Sequence, residues 1–166
     1  MNLEEAGKLA EAHAAEGRER ELAALRAQWD DEIEAVARDA DYRLRVLGYR
    51  SIALFRFRAK LELLRRGLDD ESPAVRGAAL ISLETLSRDH PGDVNGFRPL
   101  LNEIAARDPN QAVRRLAIFC FKNGTPQADT IRILDGIAAD DEQDREVRDS
   151  ARKVALLLTK KQNLKR

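Results

Sequence analysis

Cysteine is almost missing from this chain of 166 residues. With Cys120 alone, no intramolecular disulfide forms and no multi-cysteine metal site is built. Histidine contributes only His13 and His90, with no second histidine or cysteine at metal-ligand spacing from either. Aromatic residues make up 5% of the chain, too few for a strand-rich core or for a surface that stacks a row of bases. No apolar run is long enough to span a membrane, and the opening MNLEEAGKLAEAHAAEGRE is acidic, without the apolar centre of a secretory signal. These absences lead us to expect a soluble, cytoplasmic protein without a cofactor. Phosphate-cradling glycine loops, Gly-x-Ser-x-Gly elbows and metalloprotease helix motifs are missing too.

What remains is helical in character. Charged residues form 35% of the chain and hydrophobic ones 43%, dominated by Leu, Ala, Arg and Glu. The formal charge is zero but uneven. Residues 1–41 hold 12 acidic and 5 basic groups, whereas residues 42–68 hold 8 basic and 1 acidic. The simplest account is that these two blocks pack side by side and neutralise each other. The alternative is a basic face offered to an acidic or phosphate-rich partner.

Self-similarity organises the chain. An Asp followed five residues later by an aliphatic residue and then Arg occurs as Asp39-Leu44-Arg45, Asp70-Val75-Arg76 and Asp108-Val113-Arg114. A fourth copy, Asp141-Val147-Arg148, carries one extra residue. The aliphatic-Arg steps are 31, 38 and 34 residues apart, about one helical hairpin per repeat. Apolar residues return at helical spacing after each step, as in Val113, Leu116, Ala117, Cys120 and Phe121. A shorter periodic stretch precedes it, such as Phe97, Leu100, Leu101, Ile104 and Ala105. Ser72-Pro73 and Asp108-Pro109 read as caps before a proline at the first helical position, and Asn123-Gly124-Thr125-Pro126 as a stop and restart. The junction around Phe55-Arg56-Phe57-Arg58 carries no such mark.

This pattern resembles the HEAT repeat, including the short bacterial variety of the phycobilisome lyases. The resemblance covers about residues 22–159. It implies an all-α fold: a right-handed α-α superhelix, or solenoid, of about four hairpins (22–57, 58–96, 97–126 and 127–159). Residues 1–21, with Leu3, Ala6, Leu9, Ala10 and His13 on one face, form a capping helix, and 160–166 a frayed basic tail. By the same resemblance Asp39, Asp70 and Asp108 and the arginines Arg45, Arg76, Arg114 and Arg148 are structural, forming a ladder between neighbouring repeats.

Candidate chemistry is thin. Cys120, among Ile118, Phe119 and Phe121, stands at a core position where a thiol ionises poorly. The acidic run Asp140, Asp141, Glu142, Asp144, Glu146 invites a calcium loop. However, Arg145 stands where the loop needs Gly, and Ala151 where it needs the bidentate Glu. Neither metal nor catalysis is indicated.

A binding face is easier to place. Aligning the repeats puts Arg50, Ile81, Phe119 and Lys153 in one row of the second helices, with Arg115 and Lys122 one turn to either side of Phe119. Apolar anchors ringed by cations suit a protein or peptide with acidic flanks. A neighbouring helix, a second copy of the chain or the N-terminal segment covering them is the equal alternative. The favoured function is a non-enzymatic scaffold or adaptor with these residues on the concave face that the resemblance implies. The runner-up is a nucleic-acid or phosphate binder using the block 43–66 (Arg43, Arg50, Arg56, Arg58, Lys60, Arg65 and Arg66), as HEAT-like alkylation-repair glycosylases do. Against it stand the neutral total charge and a stock of stacking residues limited to Trp29, Tyr42 and Tyr49. An enzyme is the third choice. The residues leave the partner and the oligomeric state open.

Overall fold

The structure, a computed structural model, describes residues 1–165. Among the described residues it holds ten α-helices and no strand, so the expected all-α solenoid class is what the chain adopts. The chain divides into two compact units, Met1–Leu86 and Ser87–Arg166.

The first unit begins with α1 (Leu3–Ala15), α2 (Glu19–Ala37) and α3 (Tyr42–Leu54), and α1 packs on both of the others. A reciprocal capping box opens α1: Asn2 accepts from the Glu5 amide, and the Glu5 carboxylate accepts from the Asn2 amide. Gly17, at φ +70°, closes it in the left-handed turn that favours glycine. Next come α4 (Leu61–Leu68) and α5 (Pro73–Asp89), the latter starting in this unit and ending in the next. Two glycines set the packing distance. A Cβ on Gly48 of α3 would lie 2.5 Å from the Ala37 amide nitrogen. One on Gly67 of α4 would lie 2.7 Å from the Tyr49 ring and 2.9 Å from Ala79. The Ser82 hydroxyl completes this contact, donating to the Tyr49 carbonyl at 2.6 Å. Trp29, Ile33, Ile52, Leu64 and Leu83 fill the core between these helices.

The unmarked junction after α3 has a specific construction. The Phe57 amide reaches back to the Ile52 carbonyl at 2.9 Å and the Arg56 amide to the Ala53 carbonyl at 3.0 Å. This is a Schellman stop with Arg56, at φ +51°, in the place glycine usually takes. Sequence reading passes over it because the residue is not glycine. The turn is held by its flanks: Phe55 and Phe57 are both buried, and Arg26 Nε donates to the Phe55 carbonyl at 2.8 Å.

The second unit contains the short α6 (Gly92–Asn95), then α7 (Arg98–Arg107), α8 (Gln111–Cys120), α9 (Ala128–Ala139) and α10 (Arg145–Leu164). Within it α7 packs on α8, and α10 packs on both α8 and α9. The connection 87–96 is therefore partly helical, with Val94 buried. Two expectations are corrected here. Asp108 does not cap α8, because that helix starts at Gln111 and Asn110 is the capping residue, accepting from the Val113 amide at 3.1 Å. Nor is the segment from Lys160 to Leu164 a frayed tail. It is the last turn of α10, held by the Lys161 ammonium donating to the Lys122 carbonyl.

Candidate functional site

The repeated Asp shows one geometry four times. Its Oδ1 accepts the amide two residues on, in the pairs Asp39 with Asp41, Asp70 with Ser72, Asp108 with Asn110 and Asp140 with Glu142, at 2.8 to 3.0 Å. The turn residue of the fourth copy is thus Asp140 rather than Asp141, whose carboxylate is 98% exposed beside Arg148. The spacing scan missed it because this turn runs seven residues to Val147 instead of five. The repeated Arg folds back onto the same turn. Arg45 donates to the Asp39 and Ala40 carbonyls, Arg76 to those of Asp70 and Glu71, and Arg114 to that of Asp108. The first three Asp-Arg pairs therefore satisfy loop backbone groups that the helix ends leave open.

The rungs between repeats differ in chemistry. In the first unit Arg45 meets the Asp70 carboxylate through two parallel bonds of 3.0 Å, which with the nearby charge raises the Arg45 pKa. In the second unit Arg114 donates instead to the side-chain carbonyl of Gln143 at 2.6 Å, and Gln143 donates onward to the Ala106 carbonyl at 3.2 Å. These side chains hold turns in place and leave little to offer a ligand.

The acidic and basic blocks meet through Lys60, whose ammonium contacts Asp30 and sits 2.9 Å from Glu34. Burial works against that charge, but the two carboxylates outweigh it and raise the Lys60 pKa. The Glu34 carboxyl is held below its ordinary value, first by the bond from Lys60. Other members of the block pair locally, Arg43 with Asp41 and Arg65 with Glu62. Arg50 and Arg66 are exposed. Of the three candidate stacking residues Trp29 and Tyr49 are buried, which leaves Tyr42, half-exposed with the Arg43 guanidinium over its ring.

The residues proposed for a binding face fall in both units. In the first unit Arg50 is exposed on α3 and Ile81 on α5. In the second, Arg115, Phe119 and Lys122 form one stripe along α8 and the 3₁₀ turn that follows it. Lys153, in turn, lies on α10 with Leu156 beyond it. Arg115 is spent on structure: it pairs with Glu146 at 2.6 Å and so ties α8 to α10. Lys122 lies over Phe119, its ammonium 5.8 Å from the ring centroid, and its carbonyl receives Lys161. Because residue 115 pairs with 146 and residue 122 with 161, α8 and α10 run in the same direction. Phe119 is therefore level with the middle of α10, towards Lys153. Phe119 is 39% exposed and Leu156 58%, large apolar side chains facing solvent among cations. Of these, Phe119 and Lys153 were named from the aligned rows, and Leu156 was not.

Cys120 is buried, His13 half-buried and His90 exposed. Among the described residues no group of three or more His, Cys, Asp or Glu converges as a metal site, and no helix is long and apolar enough to cross a membrane.

No curated protein matches the chain. The family model of HEAT repeats matches residues 31–122, more than half of its length and the stretch that holds the first three Asp-Arg turns. With its hairpins of paired helices and that match, the chain belongs to the HEAT-repeat family.

Proposed function

We propose that the protein is a non-enzymatic interaction scaffold, and that in its second unit it holds a protein partner against the α8 and α10 surface around Phe119. The observation that carries this reading is the exposure of Phe119 and Leu156 on two helices, α8 and α10, that pack on each other. A ring presented on a rigid surface loses little freedom on binding, so its burial converts efficiently into affinity. Lys122 and Lys153 beside it favour a partner with acidic flanks. In the first unit Arg50 and Ile81 offer a smaller surface of the same kind.

Nucleic-acid binding through residues 43–66 is the weaker reading. Lys60, Arg43, Arg45 and Arg65 already meet carboxylates, and among the described residues of the first unit Tyr42 alone has an exposed ring.

Affinity capture from the source cells with the parent and Phe119→Ala, together with anisotropy on mixed-sequence DNA and RNA, separates the two. A protein partner whose binding weakens by about 1–2 kcal/mol in Phe119→Ala, with the melting temperature held, supports the scaffold. Tight nucleic-acid binding that collapses with rising salt and with reversal of Arg58 and Arg66 overturns it.

A further inference from the structure

Away from the Phe119 surface, the second unit has a cleft of about 360 Å³ between Pro91, the loop 123–126 and the last turn of α10, where Lys161, Leu164 and Lys165 line it. We propose that this cleft is a second binding site, for a short segment of a partner protein that presents an aliphatic side chain next to a carboxylate.

Three observations support this. The first is that the loop wall is built in advance. Asn123 donates to the Ser87 hydroxyl at 3.0 Å, Asn95 to the Thr125 hydroxyl at 3.1 Å, and Arg98 to the Thr125 carbonyl. Gly124 packs tightly into this wall: a Cβ there would lie 3.1 Å from both Arg98 Nη2 and Val94 Cγ1. A wall fixed by these three hydrogen bonds costs little to order when a ligand arrives.

The second observation is charge. Arg98 is buried behind the loop, and among the described residues its partners are neutral: Asn95, the Thr125 carbonyl, the Thr130 hydroxyl and the Phe121 ring. A buried guanidinium without a carboxylate leaves net positive potential around it. Lys161 and Lys165 add two ammonium groups at the rim, and no Asp or Glu lines the cleft. Lys161 is steadied by its bond to the Lys122 carbonyl and still has donors for an incoming oxygen. An anionic group is the complement.

The third is the character of the walls. Pro91, Pro126 and Leu164 supply apolar surface, and neither proline presents an amide donor. A bare phosphate would leave that surface uncovered. A nucleobase would find no ring to stack on, because none of the lining residues is aromatic. The volume is at the small end of ligand sites, enough for a few side chains rather than a helix. An aliphatic residue on the prolines and Leu164, with its neighbouring carboxylate between Lys161 and Lys165, uses both features at once.

The test is an amide-resolved NMR titration of the full chain with an acetylated, amidated hexapeptide of alternating leucine and glutamate. We expect saturable shifts at Gly124, Thr125, Lys161, Leu164 and Lys165. The same peptide with glutamine for glutamate should bind at least tenfold more weakly, as should the parent peptide to the double variant Leu164→Ser, Lys165→Glu. Both of those side chains are exposed, so the variant keeps its fold. The proposal is overturned by shifts confined to Phe119 and Lys153, by binding that ignores the double variant, by no saturable shift at all, or by inorganic phosphate or a single-stranded oligonucleotide occupying these amides more tightly than the peptide.

Discussion

The two units carry the same Asp-Arg turn, yet they hold their helices together by different means. In Met1–Leu86 helices approach closely at glycines, Gly48 against the Ala37 backbone and Gly67 against the Tyr49 and Ala79 side chains, and an ionic rung joins Arg45 to Asp70. In Ser87–Arg166 the equivalent rung is a neutral amide, Gln143, and the loops are tied by a buried polar network around Arg98. The repeat motif thus fixes how each turn is closed and leaves the means of packing to the residues between. The contrast has a functional side. The second unit exposes Phe119 on α8 and Leu156, Leu157 and Leu164 on α10, and the last of these lines the cleft.

The largest effect that tests this contrast is expected from Gly48→Ala. Its Cβ would press into the Ala37 backbone, which has no flexible end to yield, so a loss of at least about 3 kcal/mol should appear in chemical denaturation. Gly136→Ala in the second unit is the control. It sits exposed in α9 with nothing within 4 Å of the added Cβ, and it should gain about 0.5–1 kcal/mol. If both substitutions are neutral, close backbone approach is not what distinguishes the first unit.

Next in size is Arg98→Met, which keeps the side-chain volume while removing the donors to Asn95, Thr125 and Thr130. About 2 kcal/mol should be lost through the acceptors left unsatisfied, with hydrogen exchange rising in the loop 123–126 before it rises elsewhere in the second unit. Uniformly raised exchange across that unit would mean the network is not the local fastener described above.

How far the sequence disclosed this can be argued residue by residue. Periodicity placed most of the apolar face of α8 and the turn after it: Val113, Ala117, Cys120 and Phe121 are buried, while Leu116 is only partly so. Elements with an ordinary signature were legible because one local rule decides them. The Schellman stop at Arg56 was not, since the buried rings of Phe55 and Phe57 impose a conformation that glycine would normally announce. Asp140 escaped because a seven-residue turn breaks the register, and Gln143 because an amide in a carboxylate's place has no sequence signal of its own. For the candidate site, row alignment named Phe119 and Lys153, which are exposed, but could not tell that Arg115 is committed to Glu146, a contact 31 residues away. The cleft was invisible for a related reason. It needs Pro91, Gly124 and Lys161 side by side, and only the fold brings them together.

The smallest expected effect concerns pH and belongs to the first unit alone. Glu34 has its pKa lowered from the ordinary 4.5, chiefly by the hydrogen bond from Lys60, while burial pulls the other way and Arg38 adds to the lowering. A carboxyl whose folded pKa is depressed binds its proton more readily in the unfolded chain. Its contribution is therefore complete above the unfolded value and is lost as pH falls through the folded one. Glu34 is more than a third exposed, so solvent screening keeps the contribution to about a few tenths of a kcal/mol. Glu34→Gln should accordingly lower stability slightly at pH 7 and flatten its decline below about pH 4.5, so that parent and variant converge in acid. The rung at Gln143 cannot respond in this way, since its amide does not titrate in that range. Hydrogen exchange of the α2 amides, followed from pH 7 to pH 3 in parent and variant, reads the difference directly. If the gap between the two stays constant or widens towards acid, Lys60 is not holding Glu34 ionised, and the acidic and basic blocks are joined by packing rather than by charge.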